Sequence, residues 1–405
     1  MITKLCRIFA VMILWGLGCS AYAQSESSLK QTKQFIHRYY PASLGNAFAK
    51  NPQQFLNFAK SQSTAKRKPG PMRIALDPGH LGGNYSFLED RLIAQQSDKS
   101  LRLSEGDLAL DIAQRLKGIL NRHHVEVLIT RDQRGTSSTG QSFDQWKSDE
   151  TQAEADIEKV AMAFIPQEQQ QSQIEYWKLL LRQTRASAID NLRFGTTEYL
   201  NYKKLFNQVF LKIDWQNRIQ LINSFEPDLT FIIHLNVNGP HDTQTGLYRG
   251  TENNRHMAFI SGGIALEELQ KSSSAEALKI QLSNQKILDQ SLKICEKFTT
   301  ELSAKSGVPV VAMDEIKDYF YLAPNVSVPV MSTEGHFKGV FARNLALNRG
   351  LKSPSCYGES FMMDNVEFAR NMQDRQFYNK TINTIVSAYF EAAREAGRLL
   401  KSRNN

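Results

Sequence analysis

Three residues of this 405-residue chain have side chains suited to holding a divalent metal: His80, Glu105 and His234. Zinc in a hydrolase takes about three protein ligands and keeps one position open. Two neutral imidazoles and one carboxylate leave a net positive centre that can acidify a bound water. None of the three is distinctive alone. A lone histidine is more often a surface or core residue, and Glu105 by itself is an acid in a helix's first turn, where the helix dipole favours it. What joins them is their place at the ends of secondary-structure elements.

Arg73 to Leu76 predicts a short strand running into Asp77-Pro78-Gly79-His80, where proline and glycine force a turn. Ser104 is a good helix N-cap, with Asp107 as its capping-box partner. Leu108, Ile112, Leu116 and Ile119 then recur at helical spacing and mark one buried face. Val125 to Thr130 predicts a second strand. Arg218 to Asn223 predicts a helix, and Leu229 to Ile233 a buried strand ending in His234-Leu235-Asn236. Leu282 to Leu302 predicts a long helix. Val308 to Ala312 and Val328 to Ser332 predict strands, the second ending in Thr333-Glu334-Gly335. Tyr378, Ile382, Ile385 and Tyr389 mark an amphipathic C-terminal helix.

Strands alternating with helices predict an α/β fold, a mainly parallel twisted sheet with helices on both faces. In such folds ligands bind beyond the carboxyl ends of the strands. His80, His234 and Glu334 each fall within a few positions of a strand's end. Residues far apart in sequence can therefore converge on one site.

Two segments stand outside that pattern. Residues 24 to 64 read as a polar helical N-terminal segment, and Lys66-Arg67-Lys68-Pro69-Gly70-Pro71 breaks it as a linker. The catalytic domain is placed at 71–405. Within it, about 135–213 reads as a polar helical insertion, rich in Gln, Lys, Glu and Asp, with Ile174, Trp177, Leu180 and Leu181 on one helix face. Its Gln-rich surface suits helices that pack weakly and move. A lid, a docking arm that a protein activator acts on, and a solvated decoration all remain open.

The local strings resemble a known family. Asp77-Pro78-Gly79-His80, Glu105 opening a helix, and Val127-Leu128-Ile129-Thr130-Arg131 are similar to the zinc-dependent N-acetylmuramoyl-L-alanine amidases of the amidase type 3 family. Arg218-Ile219-Gln220-Leu221-Ile222-Asn223 resembles the family's Arg and Asn helix. Asp228-Leu229-Thr230-Phe231-Ile232-Ile233-His234-Leu235-Asn236 resembles its strand ending in a metal histidine. Pro329-Val330-Met331-Ser332-Thr333-Glu334-Gly335 resembles the strand that delivers its catalytic glutamate. The resemblance covers roughly 72–134 and 214–400. It implies that His80, Glu105 and His234 bind Zn2+ and that Glu334 is the general acid/base. A carboxylate near a zinc water can take its proton and return one to the leaving amine. The implied reaction is hydrolysis of the amide between N-acetylmuramic acid and L-alanine in peptidoglycan. The chain departs from the family in a longer stretch between His80 and Glu105, in Leu235-Asn236-Val237-Asn238 after His234, and in Gly335-His336-Phe337 after Glu334. A zinc hydrolase of the same fold acting on another amide or peptide, and a non-catalytic wall-binding regulator, are the alternatives. Glu334 argues against the regulator, because a binder does not need it. His241, His256 and His336 are spare histidines that could replace an assumed ligand.

The N-terminus reads as an export signal at 1–23. Lys4 and Arg7 precede an apolar run from Ile8 to Leu17, and Ala21-Tyr22-Ala23 offers small residues at both recognition positions for cleavage after Ala23. The expected location is periplasmic or secreted. Loss of the signal lowers the net charge of +8 by two. The remaining excess suits mild attraction to a polyanionic wall, and nothing resembles a nucleic-acid-binding module. Beyond the signal, no apolar run approaches the roughly 20 residues that span a bilayer, so no transmembrane segment is expected. Cys295 and Cys356 remain in the exported chain. They either pair in an oxidising compartment or stay separate buried thiols.

Overall fold

The computed structural model describes residues 70–401 except 95–99, 240, 243–244, 262–284, 313–314, 316–320, 324–325, 328–329 and 333–337. The expected signal at 1–23, and all of the N-terminal segment but its last residue, lie outside the described residues.

The elements begin with β1 (Arg73–Pro78), a 3-10 turn (Gly83–Phe87), the short strands β2 (Leu92–Ala94) and β3 (Arg102–Ser104), α1 (Glu105–Arg122) and β4 (Glu126–Ile129). The insertion follows as α2 (Phe143–Ser148), α3 (Glu150–Phe164), α4 (Gln167–Thr184) and α5 (Thr197–Leu205). A π turn (Phe206–Phe210) carries it into α6 (Leu211–Phe225). Then come β5 (Leu229–Asn236), β6 (Met257–Ser261), α7 (Gln285–Ser306), β7 (Tyr321–Ala323), β8 (Val326–Ser327) and β9 (Val330–Ser332). The chain closes with β10 (Val340–Arg343), α8 (Ala346–Gly350), β11 (Ser355–Met362), α9 (Val366–Asn371) and α10 (Arg375–Lys401).

Seven strands form one sheet in the order β4-β1-β5-β11-β6-β10-β9. The first four run parallel. β6 is antiparallel to β11 and parallel to β10, and β9 is antiparallel to β10. The expected mainly parallel sheet is present, with a reversal where β11 meets β6. Because side chains alternate along a strand, Ile74 and Leu76 of β1 and Phe231 and Ile233 of β5 join α1, α7 and α10 in the main core. Ala75 and Ile232 face the other way, against Ile219 and Ile222 of α6 and Leu347 of α8. On α1, Leu108, Ile112, Leu116 and Leu120 are at most 4% exposed, each contributing roughly 1.5–3 kcal/mol by burial. Ser104 accepts from the Asp107 amide as the N-cap, but the Asp107 carboxylate accepts from the Gly83 amide at 2.8 Å. It therefore ties α1 to the 3-10 turn. Val308 to Ala312 contributes only an isolated bridge between His256 and Val310.

Cys295 of α7 and Cys356 of β11 form a disulfide, with Cα atoms 5.3 Å apart and the two residues 61 positions apart in sequence. Closing a loop of that length stabilises the fold by about 4 kcal/mol in the chain-entropy model.

The insertion is not weakly packed. Trp177, Leu180 and Leu181 are at most 2% exposed. They share a second core with Phe143, Trp146, Tyr202, Phe206 and Phe210. The polar composition describes the solvent side of these helices, while their aromatic side closes on itself. Among the described residues, no helix is long and apolar enough to cross a membrane.

Candidate metal centre

The parallel ladder brings the sequence-predicted ligands together. Pro78 of β1 pairs with Ile233 of β5, and the Gly79 amide donates to the Ile233 carbonyl at 2.9 Å. His80 therefore leaves the sheet next to the point where β5 delivers His234. Gly79 has no alternative at this point, because a Cβ there would overlap the His234 imidazole. His80 turns off with φ 56°, a conformation that a histidine adopts at modest cost. Glu105 enters from the side as the first residue of α1, its carboxylate at the positive end of the helix.

His80, Glu105 and His234 each present a ligand atom, and these atoms lie within 4.8 Å of one another. Glu105 is 1% exposed. Its Oε1 accepts from the Leu235 amide at 3.1 Å and faces His234 Nδ1 at 2.8 Å. Its Oε2 lies 3.2 Å from His80 Nε2 and 3.0 Å from Arg91 Nε, without a well-aligned hydrogen bond to either. That oxygen is a buried anionic donor with room for a better partner. Two imidazoles and a carboxylate so placed could hold a metal ion.

The charges follow from this packing. Burial opposes charging of His80, but the carboxylates of Glu105 and Glu89 outweigh it and raise the group to about 9. Burial also opposes ionisation of Glu105, yet the charge of His80 and the hydrogen bond with His234 hold its carboxyl well below the usual range. Burial pushes His234 down, against the pull of Glu105. The other His80 nitrogen, Nδ1, lies 3.2 Å from Glu89 Oε1, a contact that fixes ring orientation.

Two buried arginines brace the turn. Arg131 donates to the carbonyls of Pro78, Gly79 and Gly106 at 3.2, 2.9 and 2.7 Å. It therefore bridges the residue before His80 and the residue after Glu105. Arg218 donates to the Pro78 carbonyl and to Asp77, while Asp214 accepts from Arg218 at 2.7 Å. Asp77 itself, fully buried, also accepts from Thr130. Asn236 accepts from the Val237 amide and so supports the loop.

Glu334 and His336 lie outside the described residues. β9, which leads to Glu334, is at the sheet edge, four places from β5. A different carboxylate stands beside the described cluster. Glu359 of β11 pairs in register with His234, is 7% exposed, and its Oε2 has no hydrogen-bond partner. Burial first, and the charge of Glu105 second, raise Glu359 from 4.5 to about 8. Tyr357, two residues earlier on the same face, stacks on His234 with ring centroids 4.4 Å apart.

Sequence reasoning missed β11 because Ser355-Cys356-Tyr357-Gly358-Glu359-Ser360 does not read as an apolar run. Gly358 is there for space: a Cβ would meet Phe298 of α7 and Tyr389 of α10. The usable signal lay downstream. Asn365 caps α9 through the Phe368 amide, which marks a strand–turn–helix boundary just after Glu359. The described spare histidines stand apart. His256 is buried against the Val308 carbonyl, and His241 packs against the Tyr248 ring.

No family model matches the chain, and no curated protein matches it. Solved structures do. The chain is similar to the CwlD amidase from Clostridioides difficile, solved in complex with the GerS lipoprotein, at 14% identity and a TM-score of 0.39, over 81% of this chain and 99% of that one. It is similar to the N-acetylmuramoyl-L-alanine amidase AmiC2 of Nostoc punctiforme at 13% identity and a TM-score of 0.37, over 81% and 99%. The amidase Ami1 from Mycobacterium smegmatis matches at 13% identity and a TM-score of 0.39, over 81% and 97%. These are distant likenesses, and the functional reading rests on the site's own residues.

Proposed function

We propose that this protein is a zinc-dependent amidase that hydrolyses the bond between the lactyl carbonyl of N-acetylmuramic acid and the L-alanine nitrogen of peptidoglycan, outside the cytoplasm. The observation that carries the reading is the convergence of His80, Glu105 and His234, from three separate elements, beside the partnerless buried carboxylate oxygen of Glu359. The sequence resemblance directs that chemistry to peptidoglycan, and the export signal at 1–23 directs it to the periplasm or the exterior.

His80, Glu105 and His234 would hold zinc. When bound, zinc supplies Lewis-acid chemistry: it polarises the scissile carbonyl and lowers the pKa of water. Glu359 takes a proton from the attacking water as its oxygen adds to the carbonyl carbon. As the C–N bond breaks, Glu359 returns that proton to the leaving L-alanine nitrogen. Glu105 and Glu89 orient the two imidazoles, and Tyr357 covers the face of His234. The acid/base role that the resemblance assigns to Glu334 is here proposed for Glu359.

Mass spectrometry of digested sacculi tests the activity: free stem peptides with an L-alanine amino terminus are expected, and cleavage of another bond would refute it. Elemental analysis tests the metal, since His80→Ala should lose most of the zinc and unchanged content would remove His80 from the site. Glu359→Gln and Glu334→Gln, compared with zinc bound, assign the base. A rate loss of about 10² to 10⁴ is expected at Glu359. The same loss confined to Glu334 would overturn that assignment.

A further inference from the structure

The loop that orients the metal ligands belongs, in its packing, to the insertion. Residues 81–91 turn back on themselves, with the Leu88 and Glu89 amides donating to the Tyr85 carbonyl and the Arg91 amide to Ser86 at 2.7 Å. Its apolar side chains do not join the main core. Leu81, Tyr85 and Leu88 are buried in the insertion's cluster. Tyr85 stacks on Phe206 and donates to Asp144 at 3.1 Å. Phe87 packs against Phe194 and Tyr199.

At its far end this loop carries three consecutive charged residues that face different ways. Glu89 meets His80 Nδ1 with one oxygen and accepts from the Leu81 amide at 2.9 Å with the other. Arg91 pairs with Glu105. Between them Asp90 adopts φ 54°, a left-handed conformation that aspartate tolerates better than most residues. Lys203 of α5 donates to both Asp90 oxygens, at 2.6 and 2.7 Å, and the Tyr248 hydroxyl donates to the Asp90 carbonyl at 2.6 Å.

We propose that the insertion acts as a buttress for the metal centre, and that Lys203, by pinning Asp90 in its left-handed turn, is a positioning residue that presents Glu89 to His80 and Arg91 to Glu105. The proposal rests on the reading that His80, Glu105 and His234 hold the metal. It assigns the insertion a place in metal binding that neither a free lid nor a passive decoration has. Any partner that displaced α5 from this loop would act on metal affinity.

The ion pair is partly exposed, so its loss changes global stability little. Metal affinity responds differently, because a partner that orients a ligand typically changes it 10–100-fold. Zinc dissociation constants by competition with a chromophoric chelator are the main readout. Lys203→Met is expected to weaken zinc binding at least threefold with the urea midpoint nearly unchanged, and Lys203→Arg to restore it. Because Lys203 acts partly through Glu89, Lys203→Met should cost less zinc affinity in the Glu89→Gln background than in the wild type. Unchanged zinc affinity in Lys203→Met, or losses that simply multiply in the double variant, would overturn the proposal. Hydrogen exchange of the metal-free protein supplies a second test. Lys203→Met should speed exchange at the Leu81 amide, which Glu89 protects, and unchanged protection would refute the latch. Absence of zinc binding in the wild type would instead refute the metal reading and leave the exchange test of the latch intact.

Discussion

Replacing Glu359 by glutamine separates two consequences of its burial. In the metal-free fold, burial and the nearby charge of Glu105 raise its carboxyl from 4.5 to about 8. The folded protein therefore keeps a proton that the unfolded chain has already released between those values. The stability due to this protonated carboxyl is fully present below the unfolded pKa and is lost as pH rises to the folded one. Each pH unit in that window corresponds to about 1.4 kcal/mol. Between pH 5 and pH 8 the metal-free wild type should thus lose roughly 3–4 kcal/mol that Glu359→Gln keeps. The glutamine retains the shape of the side chain and cannot ionise. Urea denaturation with a chelator present, at four pH values and with the disulfide intact, measures the difference directly. The titration of His80 and Glu105 is common to both proteins and largely cancels. If the two stability curves run parallel across this range, burial does not raise the Glu359 carboxyl towards neutral pH, where one group can both take a proton and return it. With zinc bound, the same variant should fold normally yet turn over about 10²–10⁴ more slowly.

Replacing both Cys295 and Cys356 by alanine should lower stability by about 4 kcal/mol, read as a urea midpoint that no longer responds to reductant. An unchanged midpoint would mean that the pairing does not restrain the unfolded chain. Gly79→Ala places a methyl group into the His234 ring; it should lower stability by roughly 1–3 kcal/mol through overpacking and weaken zinc binding, both measurable without substrate. Normal zinc affinity in that variant would show that His234 need not sit against the turn.

The sequence by itself determined the parts whose signals are local. Pro78 and Gly79 after an apolar run marked the β1 turn, Ser104 marked the start of α1, and the run from Leu229 to Ile233 marked β5. Each signal also located a proposed metal ligand, because His80, Glu105 and His234 sit directly at those boundaries. The resemblance of the strings around them extended the reading to a reaction. Which described carboxylate stands beside these residues was a tertiary matter. β11 lies beside β5 in the sheet, and nothing in its own residues announces this. Its glycine is set by Phe298 and Tyr389 packing from distant helices, and its glutamate is explained only by the site across the ladder. The insertion shows the same division. Composition identified it as helical and polar, but its aromatic residues close a core with Leu81, Tyr85 and Leu88. That contact, between segments distant in sequence, is what the proposed coupling to the metal centre rests on. Turns, caps and strand runs are written in a few adjacent residues. Sheet order, close packing and charge burial depend on neighbours brought together only when the chain has folded.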